Sequence, residues 1–313
     1  MSDNDKKSGE DLLKYPIRTV TDQTGVHPVT LRAWERRYGL IKPERTPKGH
    51  RLYSQADIET IQRITQLLEQ GIAISQVRPL LDRGMPLPEE QAPVQQRDAW
   101  QEYRDNMLVA VERFDESSLE KLYNDALSLY PMALVHIHLI IPVLRQLGER
   151  WKDREAGIAE EHFFSTYLRN KLGSRILHLN QHNHGPILLM ACLPGEYHEV
   201  GMLMFAMACL DKGYRVLVLG ANVPLQQIPL VMAKKPCAGV VLSASARISG
   251  NQLQEEIPAL VASVENPVFV GGTASERHRQ AIETAGAVFA SSDMAYALNE
   301  IAEHIPPRTE HPA

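Results

Sequence analysis

A glutamate and a histidine lie two residues apart in the segment LPGEYHEVG, residues 193–201. His198 can bind a metal ion through one ring nitrogen while the carboxylate of Glu196 accepts a hydrogen bond from the other, which fixes the tautomer. Gly201 would let a bulky ligand approach the backbone, because it has no side chain. The pattern predicts a ligand site; a solvated, hydrogen-bonded histidine is the alternative.

A tryptophan, a glutamate and a histidine form a second candidate site. Nine residues separate Trp151 from the pair Glu161 and His162 in WKDREAGIAEEH. Such side chains could stack on a flat purine and bind its ribose hydroxyls. The alternative is a core tryptophan next to a solvated Glu-His pair.

A third set of residues is basic. The window from Arg32 to Arg51 carries a net charge of +5, which leaves −10 on the rest of a chain whose total is −5. A basic segment on an acidic protein is typical of a local nucleic-acid-binding surface.

This basic window begins in the segment TVTDQTGVHPVTLRAWERRYGL, residues 19–40, which predicts two helices joined by a turn at Gly25. Pro28 suits the first turn of the second helix, where no backbone N–H is needed. We expect Val29, Ala33 and Trp34 to pack inward. Four side chains are expected to face the major groove of DNA: Thr30, Arg32, Arg36 and Arg37.

The segment IKPERTPKGHRLY, residues 41–53, predicts a hairpin that carries Lys48, His50 and Arg51. A basic hairpin next to a recognition helix is a wing that contacts backbone phosphates. Ser54 and Asp57 then suit a capping box at the start of another helix. The alternative is an ordinary basic helix and hairpin on a soluble surface.

The remaining chain must position the two candidate ligand sites. Residues 99–179 show helical spacing and predict several helices. From residue 186, short apolar runs alternate with helical segments, which predicts a doubly wound parallel sheet. The runs are 187–193, 216–221, 238–244 and 267–272. The segment with His198 follows the first run, at the carboxyl end where such sheets bind ligands.

The predicted fold class is therefore multidomain: an α-rich winged helix-turn-helix, a helical bundle and an α/β doubly wound parallel sheet. The predicted boundaries are a disordered tail (1–14), the DNA-binding domain (15–84), a linker (85–97), the bundle (98–182), the α/β domain (183–305) and a second tail (306–313). No apolar run suits a membrane span or a signal peptide, so we expect a cytoplasmic protein. We expect three buried, reduced cysteines and no enzymatic activity, because no nucleophile–base pair is evident.

Residues 16–83 resemble the MerR family in VTLRAWERRYGL, in RTPKGHRLYS and in the helix that begins DIETI. The resemblance implies a homodimer on a palindromic promoter operator in double-stranded DNA, and adds Tyr38 to the contacts of the recognition-helix region. MerR relatives that sense metals use cysteines near the dimer helix. This chain has no cysteine before Cys192, which argues against a thiolate metal sensor.

The spacing Glu196-x-His198-x-x-Gly201 resembles the DxHxxG motif of Rossmann-like B12-binding domains. The resemblance implies that His198 is the lower ligand of the cobalt ion of cobalamin, and that Ser243, Gly271 and Gly272 accommodate the nucleotide tail. The chain departs from the family where Glu196 replaces the commoner aspartate and Ser245 replaces a leucine.

The Trp151-x9-Glu161-His162 pattern resembles the CarH/LitR family of B12-dependent photoreceptor regulators. The resemblance implies that these residues surround the 5′-deoxyadenosyl group of adenosylcobalamin. It also implies a repressor that is tetrameric in the dark and releases DNA after photolysis.

Two other functions remain open at this point. A MerR-like regulator that has lost cobalamin would act through protein partners, but it would not need His198, Trp151, Glu161 and His162. A corrinoid carrier or methyltransferase subunit would combine the bundle with a B12 domain, but it would not need a DNA-binding wing.

Overall fold

The computed structural model of the chain describes residues 14–82, 99–150 and 155–308. The predicted linker, most of both predicted tails and Trp151 lie outside these residues. The chain divides into two compact units, residues 1–164 and residues 165–313. None of the helices in the described part combines the length and apolar character that a bilayer crossing requires.

The first unit begins with a helix-turn-helix. Helix α1 (Ile17–Thr24) ends at Gly25, whose φ of 68° is the left-handed conformation expected of a turn glycine. Helix α2 starts with Pro28 at its first position (Pro28–Ala33) and continues through a wider π-helical turn (Trp34–Tyr38). The predicted turn and the predicted helix start are therefore confirmed.

The hairpin is formed by β2 (Glu44–Arg45) and β3 (Arg51–Tyr53), which pair antiparallel. The N–H of Thr46 donates to the carbonyl of His50 over 2.8 Å and closes the turn. A third strand, β1 (Tyr15–Pro16), pairs with β3 and was not predicted. Ser54 and Asp57 form the predicted capping box of α3 (Gln55–Glu69), which is followed by α4 (Ile74–Asp82).

The helical block follows as predicted. Its helices are α5 (Ala99–Glu112), α6 (Glu116–Leu129), α7 in three parts (Met132–Val135, His136–Ile140, Ile141–Glu149) and α8 (Gly157–Asn180). Trp100 is buried in this block and lies against Tyr130, with ring centroids 4.4 Å apart. The boundary between the two compact units falls inside α8.

The second unit contains a parallel sheet of five strands in the order β5-β4-β6-β7-β8. The strands are β4 (Ile187–Cys192), β5 (Arg215–Gly220), β6 (Gly239–Ser243), β7 (Val268–Gly271) and β8 (Val288–Phe289). The first four confirm the predicted apolar runs. The short strand β8 was not predicted.

Helices alternate with these strands: α9 (Val200–Asp211), α10 (Ile228–Lys234), α11 (Gln252–Glu256 continuing as Ile257–Ser263), α12 (Arg279–Thr284) and α13 (Met294–His304). Leu189 and Ala191 share a core with Ile228 and Ile257, whereas α9 contacts β4, β5 and α13. Together the two units confirm the predicted multidomain fold class. All three cysteines are buried free thiols, as predicted.

Candidate cofactor site and nucleic-acid interface

The loop between β4 and α9 positions Glu196 and His198, at the carboxyl end of β4. Glu196 is only 2% exposed, and both of its carboxylate oxygens accept hydrogen bonds. Oε1 accepts from the His198 ring over 2.7 Å and from the His198 N–H over 2.8 Å. Oε2 accepts from the backbone N–H groups of Ser245 and Ala246, each over 2.7 Å.

These bonds determine the charge of Glu196 and the tautomer of His198. Burial alone would raise the pKa of the Glu196 carboxyl, but the bonds from the His198 ring and from three backbone N–H groups outweigh it and lower the pKa to about 2. A carboxylate only accepts, so Nδ1 of His198 carries the proton and the lone pair of a neutral ring lies on Nε2. The His198 side chain is 52% exposed and can reach a bound metal centre.

Two further side chains brace this loop, and neither was predicted. Asn222, at the end of the neighbouring β5, accepts a hydrogen bond from the N–H of Gly195 over 2.8 Å, and its own N–H donates to the carbonyl of Glu196. Gln252 of α11 donates to the carbonyl of Pro194 over 2.7 Å. The loop is therefore held rigidly from two other elements before any ligand binds.

The remaining residues predicted for this site lie on three neighbouring elements. Gly201 is in the first turn of α9, where an added Cβ would make an ordinary van der Waals contact with Ser245 Oγ at 3.8 Å. Ser243 ends β6, paired in register with Gly271 of β7. A Cβ at Gly271 would lie 2.7 Å from the carbonyl of Ala290, so close backbone packing already requires glycine there.

Gly272 is similarly constrained. Its φ is 99°, and a Cβ would lie 2.4 Å from the carbonyl of Ala244. The predicted role of Ser243, Gly271 and Gly272 in accommodating a nucleotide tail stays a prediction.

Glu161 and His162 lie in the N-terminal part of α8, which belongs to the first compact unit. Glu161 is buried, His162 is exposed, and Nδ1 of His162 lies 2.8 Å from Oε2 of Glu161. Trp151, the third member of the predicted set, lies outside the described residues. The pair thus offers an imidazole and a carboxylate held together, and the role predicted for it in binding an adenosyl group stays a prediction.

Most of the basic residues predicted to contact DNA are exposed. Arg32, Arg36 and Arg37 are exposed on α2, and Lys48 and His50 are exposed in the hairpin, while Tyr38 is half-buried. Arg51 instead points back to the helix, where its Nε lies 2.5 Å from Glu35 Oε2. Arg45 also pairs with Glu35, over 2.9 Å.

Glu35 therefore joins the hairpin to the recognition helix. Burial tends to raise the pKa of its carboxyl, but the two arginines lower it overall, so the carboxylate stays charged between them. The sequence did not reveal this role, because Glu35 and its partners are 10 and 16 residues apart.

The predicted orientation of Thr30 and Val29 was wrong. Thr30 was expected to face DNA but is 1% exposed, and its hydroxyl donates to the carbonyl of Leu127 in α6 over 3.2 Å. Trp34, one turn further along, donates through Nε1 to the carbonyl of Leu129 over 2.8 Å. Val29 was expected inside and is half exposed. The cause is that this face of α2 packs on the helical block, a contact that helical periodicity alone does not indicate.

Comparison with known proteins identifies two regions of the chain. The family model for "MerR HTH family regulatory protein" matches residues 15–84, and the model for "B12 binding domain" matches residues 103–175. The HTH-type transcriptional repressor CarH of Myxococcus xanthus is 33% identical over 282 residues, covering 86% of this chain and 92% of CarH. The repressor CarA of the same organism is 30% identical over 279 residues, covering 88% and 92%.

One solved structure extends the comparison to the fold. The monomethylamine corrinoid protein of Methanosarcina barkeri superposes with a TM-score of 0.51 at 17% identity, over 66% of this chain and 99% of that protein. At this identity the likeness concerns the fold alone.

Proposed function

The chain belongs to the family of MerR-type transcriptional regulators with a B12-binding domain that includes CarH and CarA, and on that premise we propose that it is a light-responsive repressor that uses adenosylcobalamin. It is a DNA-binding regulator that binds cobalamin. We propose three further properties: the cofactor is the adenosyl form, the protein responds to light, and it represses transcription.

The observation that carries the cofactor assignment is the hydrogen-bonded pair of Glu196 and His198. The buried carboxylate keeps Nδ1 of His198 protonated, which leaves the lone pair of the neutral ring on Nε2. An imidazole oriented in this way is a strong ligand for a metal ion such as cobalt. Gly201 has no side chain, which supports the approach of a large planar ring to the backbone at the start of α9.

Adenosylcobalamin, when bound, supplies a cobalt–carbon bond that visible light breaks. The residues proposed to hold the adenosyl group are Glu161 and His162 through hydrogen bonds and Trp151 through stacking. These contacts favour the tetramer only to the extent that they bind the adenosyl group more tightly in the tetramer than in the separated subunits. When light releases the group, this preference for the tetramer is lost.

On the DNA side, the residues proposed to bind are the exposed basic ones of α2 and the hairpin. Arg32, Arg36 and Arg37 would enter the major groove, and Lys48 and His50 would contact phosphates. Arg51, which is tied to Glu35, would set the position of the hairpin. A homodimer, or a tetramer with the cofactor bound, would hold several half-sites at once, so disassembly would weaken binding steeply.

The test is to load the full chain with adenosylcobalamin in the dark and follow its absorption spectrum and its mass by light scattering. We expect a coloured tetramer whose spectrum changes on illumination and whose mass then falls. A chain that stays colourless after loading would instead favour a regulator that acts through protein partners. A spectrum that changes with no change in mass would overturn the link between light and assembly.

A further inference from the structure

The loop that carries His198 is anchored on both sides of the histidine. Two residues before it, Glu196 is bonded to the backbone that follows β6. One residue after it, Glu199 forms an ion pair with Arg169 of α8. His198 thus lies between two anchored carboxylates that are joined to different elements.

The carboxylate of Glu199 has little room to move. Its side chain is 14% exposed. A Cβ at Gly220, which ends β5 with a φ of 93°, would lie 3.2 Å from Glu199 Oε2. The carboxylate therefore lies in a narrow space next to the backbone of Gly220. A largely buried carboxylate needs a cationic partner, and Arg169 supplies it.

The ion pair is poorly placed to stabilise the fold. Arg169 is 51% exposed, and ion pairs with such an exposed member contribute little to the free energy of unfolding. Its other member, however, is adjacent in sequence to the imidazole assigned to cobalt. A metal ligand must be held to within about 0.5 Å, so anchoring its loop affects ligation more than folding.

We propose that Arg169 is a positioning residue, which acts through Glu199 to fix the end of the loop so that Nε2 of His198 faces the cobalt ion. The inference rests on the proposed assignment of His198 as the cobalt ligand. Without Arg169, the Glu199 carboxylate turns toward solvent and carries the neighbouring imidazole with it. Glu196 still sets the tautomer, so the ring keeps its ligating nitrogen but loses its position.

The test compares Arg169→Gln, Arg169→Lys and Glu199→Gln with the wild-type full chain in the dark. Arg279→Gln is the matched control, because Arg279 is similarly exposed and also pairs with a glutamate, Glu283. The first measurement is the Kd for adenosylcobalamin. The second is the nitrogen splitting in the electron paramagnetic resonance spectrum of chain loaded with cob(II)alamin, with 15N-labelled histidine to identify the axial ligand.

We expect Arg169→Gln and Glu199→Gln to raise the Kd about tenfold, as losses around a metal ligand commonly do. The fraction of molecules with histidine splitting should fall in both variants. Arg169→Lys should recover part of the affinity, and Arg279→Gln should leave both readouts unchanged. Thermal unfolding of the cofactor-free Arg169→Gln chain should still show one cooperative transition, which separates loss of the ligand's position from loss of the fold.

Two failures are distinguishable. A wild-type chain with histidine splitting, together with an Arg169→Gln chain that matches it in Kd and spectrum, overturns the positioning role alone. A wild-type chain that binds no cobalamin, or binds it without histidine splitting, overturns the assigned site as well. If Arg169→Gln does not fold, the Glu199→Gln variant provides the test. An unchanged Kd for adenosylcobalamin in Glu199→Gln would overturn the positioning role of Arg169.

Discussion

Glu196 bridges two loops through its two carboxylate oxygens. One oxygen binds His198 and the other binds the backbone at Ser245 and Ala246, so the carboxylate acts as a hub between the ends of β4 and β6. Replacing it by glutamine would put an amide N–H₂ group among N–H donors, and at least one bond would be lost.

The lowered pKa of Glu196 predicts how stability changes with pH. Because the folded-state pKa is about 2 and the ordinary value is 4.5, the stabilisation is complete above pH 4.5 and is lost as the pH falls toward 2. We expect Glu196→Gln to lower the free energy of unfolding at pH 7 by about 2–3 kcal/mol. Urea unfolding between pH 7 and pH 3 should show the gap to wild type narrowing below pH 4.5. A gap that is the same at every pH would contradict the assignment.

His198 should matter for the cofactor and not for DNA contacts. His198→Ala removes the proposed ligand nitrogen from a half-exposed side chain, so cobalamin retention after gel filtration should fall sharply. The control is His184→Ala, which removes another exposed imidazole of the same unit. Full cofactor occupancy in His198→Ala would show that the lower ligand is elsewhere.

The sequence identified Glu196 and His198 because the two residues lie close together in a known spacing. The two side chains that hold their loop in place were not predicted, because they are distant from it in the sequence. Asn222 and Gln252 lie 27 and 58 residues from the backbone groups they bind, and no local pattern connects them. An asparagine after an apolar strand was the only available signal, and it is common in turns.

Among the elements, the recognition helix departs most from expectation. Helical spacing correctly located α2, but the face with Thr30 and Trp34 is covered by α6, whose contact residues are 97 and 95 positions away. In this conformation a duplex cannot reach Thr30, so binding through that face requires α2 to separate from α6. Tyr130, directly after α6, joins the helical block to another helix of the DNA-binding part, because its hydroxyl accepts a hydrogen bond from the backbone of Ile74 in α4.

Weakening the packing of the helical block on the DNA-binding part should therefore strengthen any DNA binding that uses the covered face of α2. Tyr130→Phe removes one hydrogen bond between the two parts of the first unit without changing any exposed basic residue. One hydrogen bond contributes about 1 kcal/mol, which corresponds to an affinity about fivefold higher in a fluorescence anisotropy titration. Tyr296→Phe, in the second unit, is the control. Unchanged or weaker binding by Tyr130→Phe would mean that the contact with α6 persists on DNA.

The hairpin should act through charge alone. Lys48 is exposed next to the turn, so Lys48→Ala should weaken binding to all sequences and reduce the slope of log K against log salt by about 1. Lys121→Ala, an exposed lysine of α6, should leave the slope unchanged. An effect of Lys48→Ala on one sequence only would point to base contacts.

The elements that the sequence missed are the short ones. The strands β1 and β8 have two residues each, too few for a period to appear. Four longer strands were located from apolar runs, because the central strands β4, β6 and β7 are buried along almost their whole length and lack polar positions.

At the scale of the whole molecule, the charge distribution separates the DNA-binding region from the rest of the chain. The basic window carries +5 and the rest of the chain −10, so attraction to DNA is confined to α2 and the hairpin. The prediction of a B12-dependent MerR-type regulator is confirmed by relatives that cover most of the chain. The order of the three regions made that prediction possible, because each motif alone was open to a simpler interpretation.

The most direct measurement is the affinity of the full chain for its own promoter DNA, loaded with adenosylcobalamin in the dark and then illuminated in the same cell. We predict that the Kd rises at least about tenfold on illumination, since disassembly removes simultaneous contacts to several half-sites. A Kd that is equal in the dark and in the light, in a sample whose spectrum shows that the cofactor has reacted, would contradict the account.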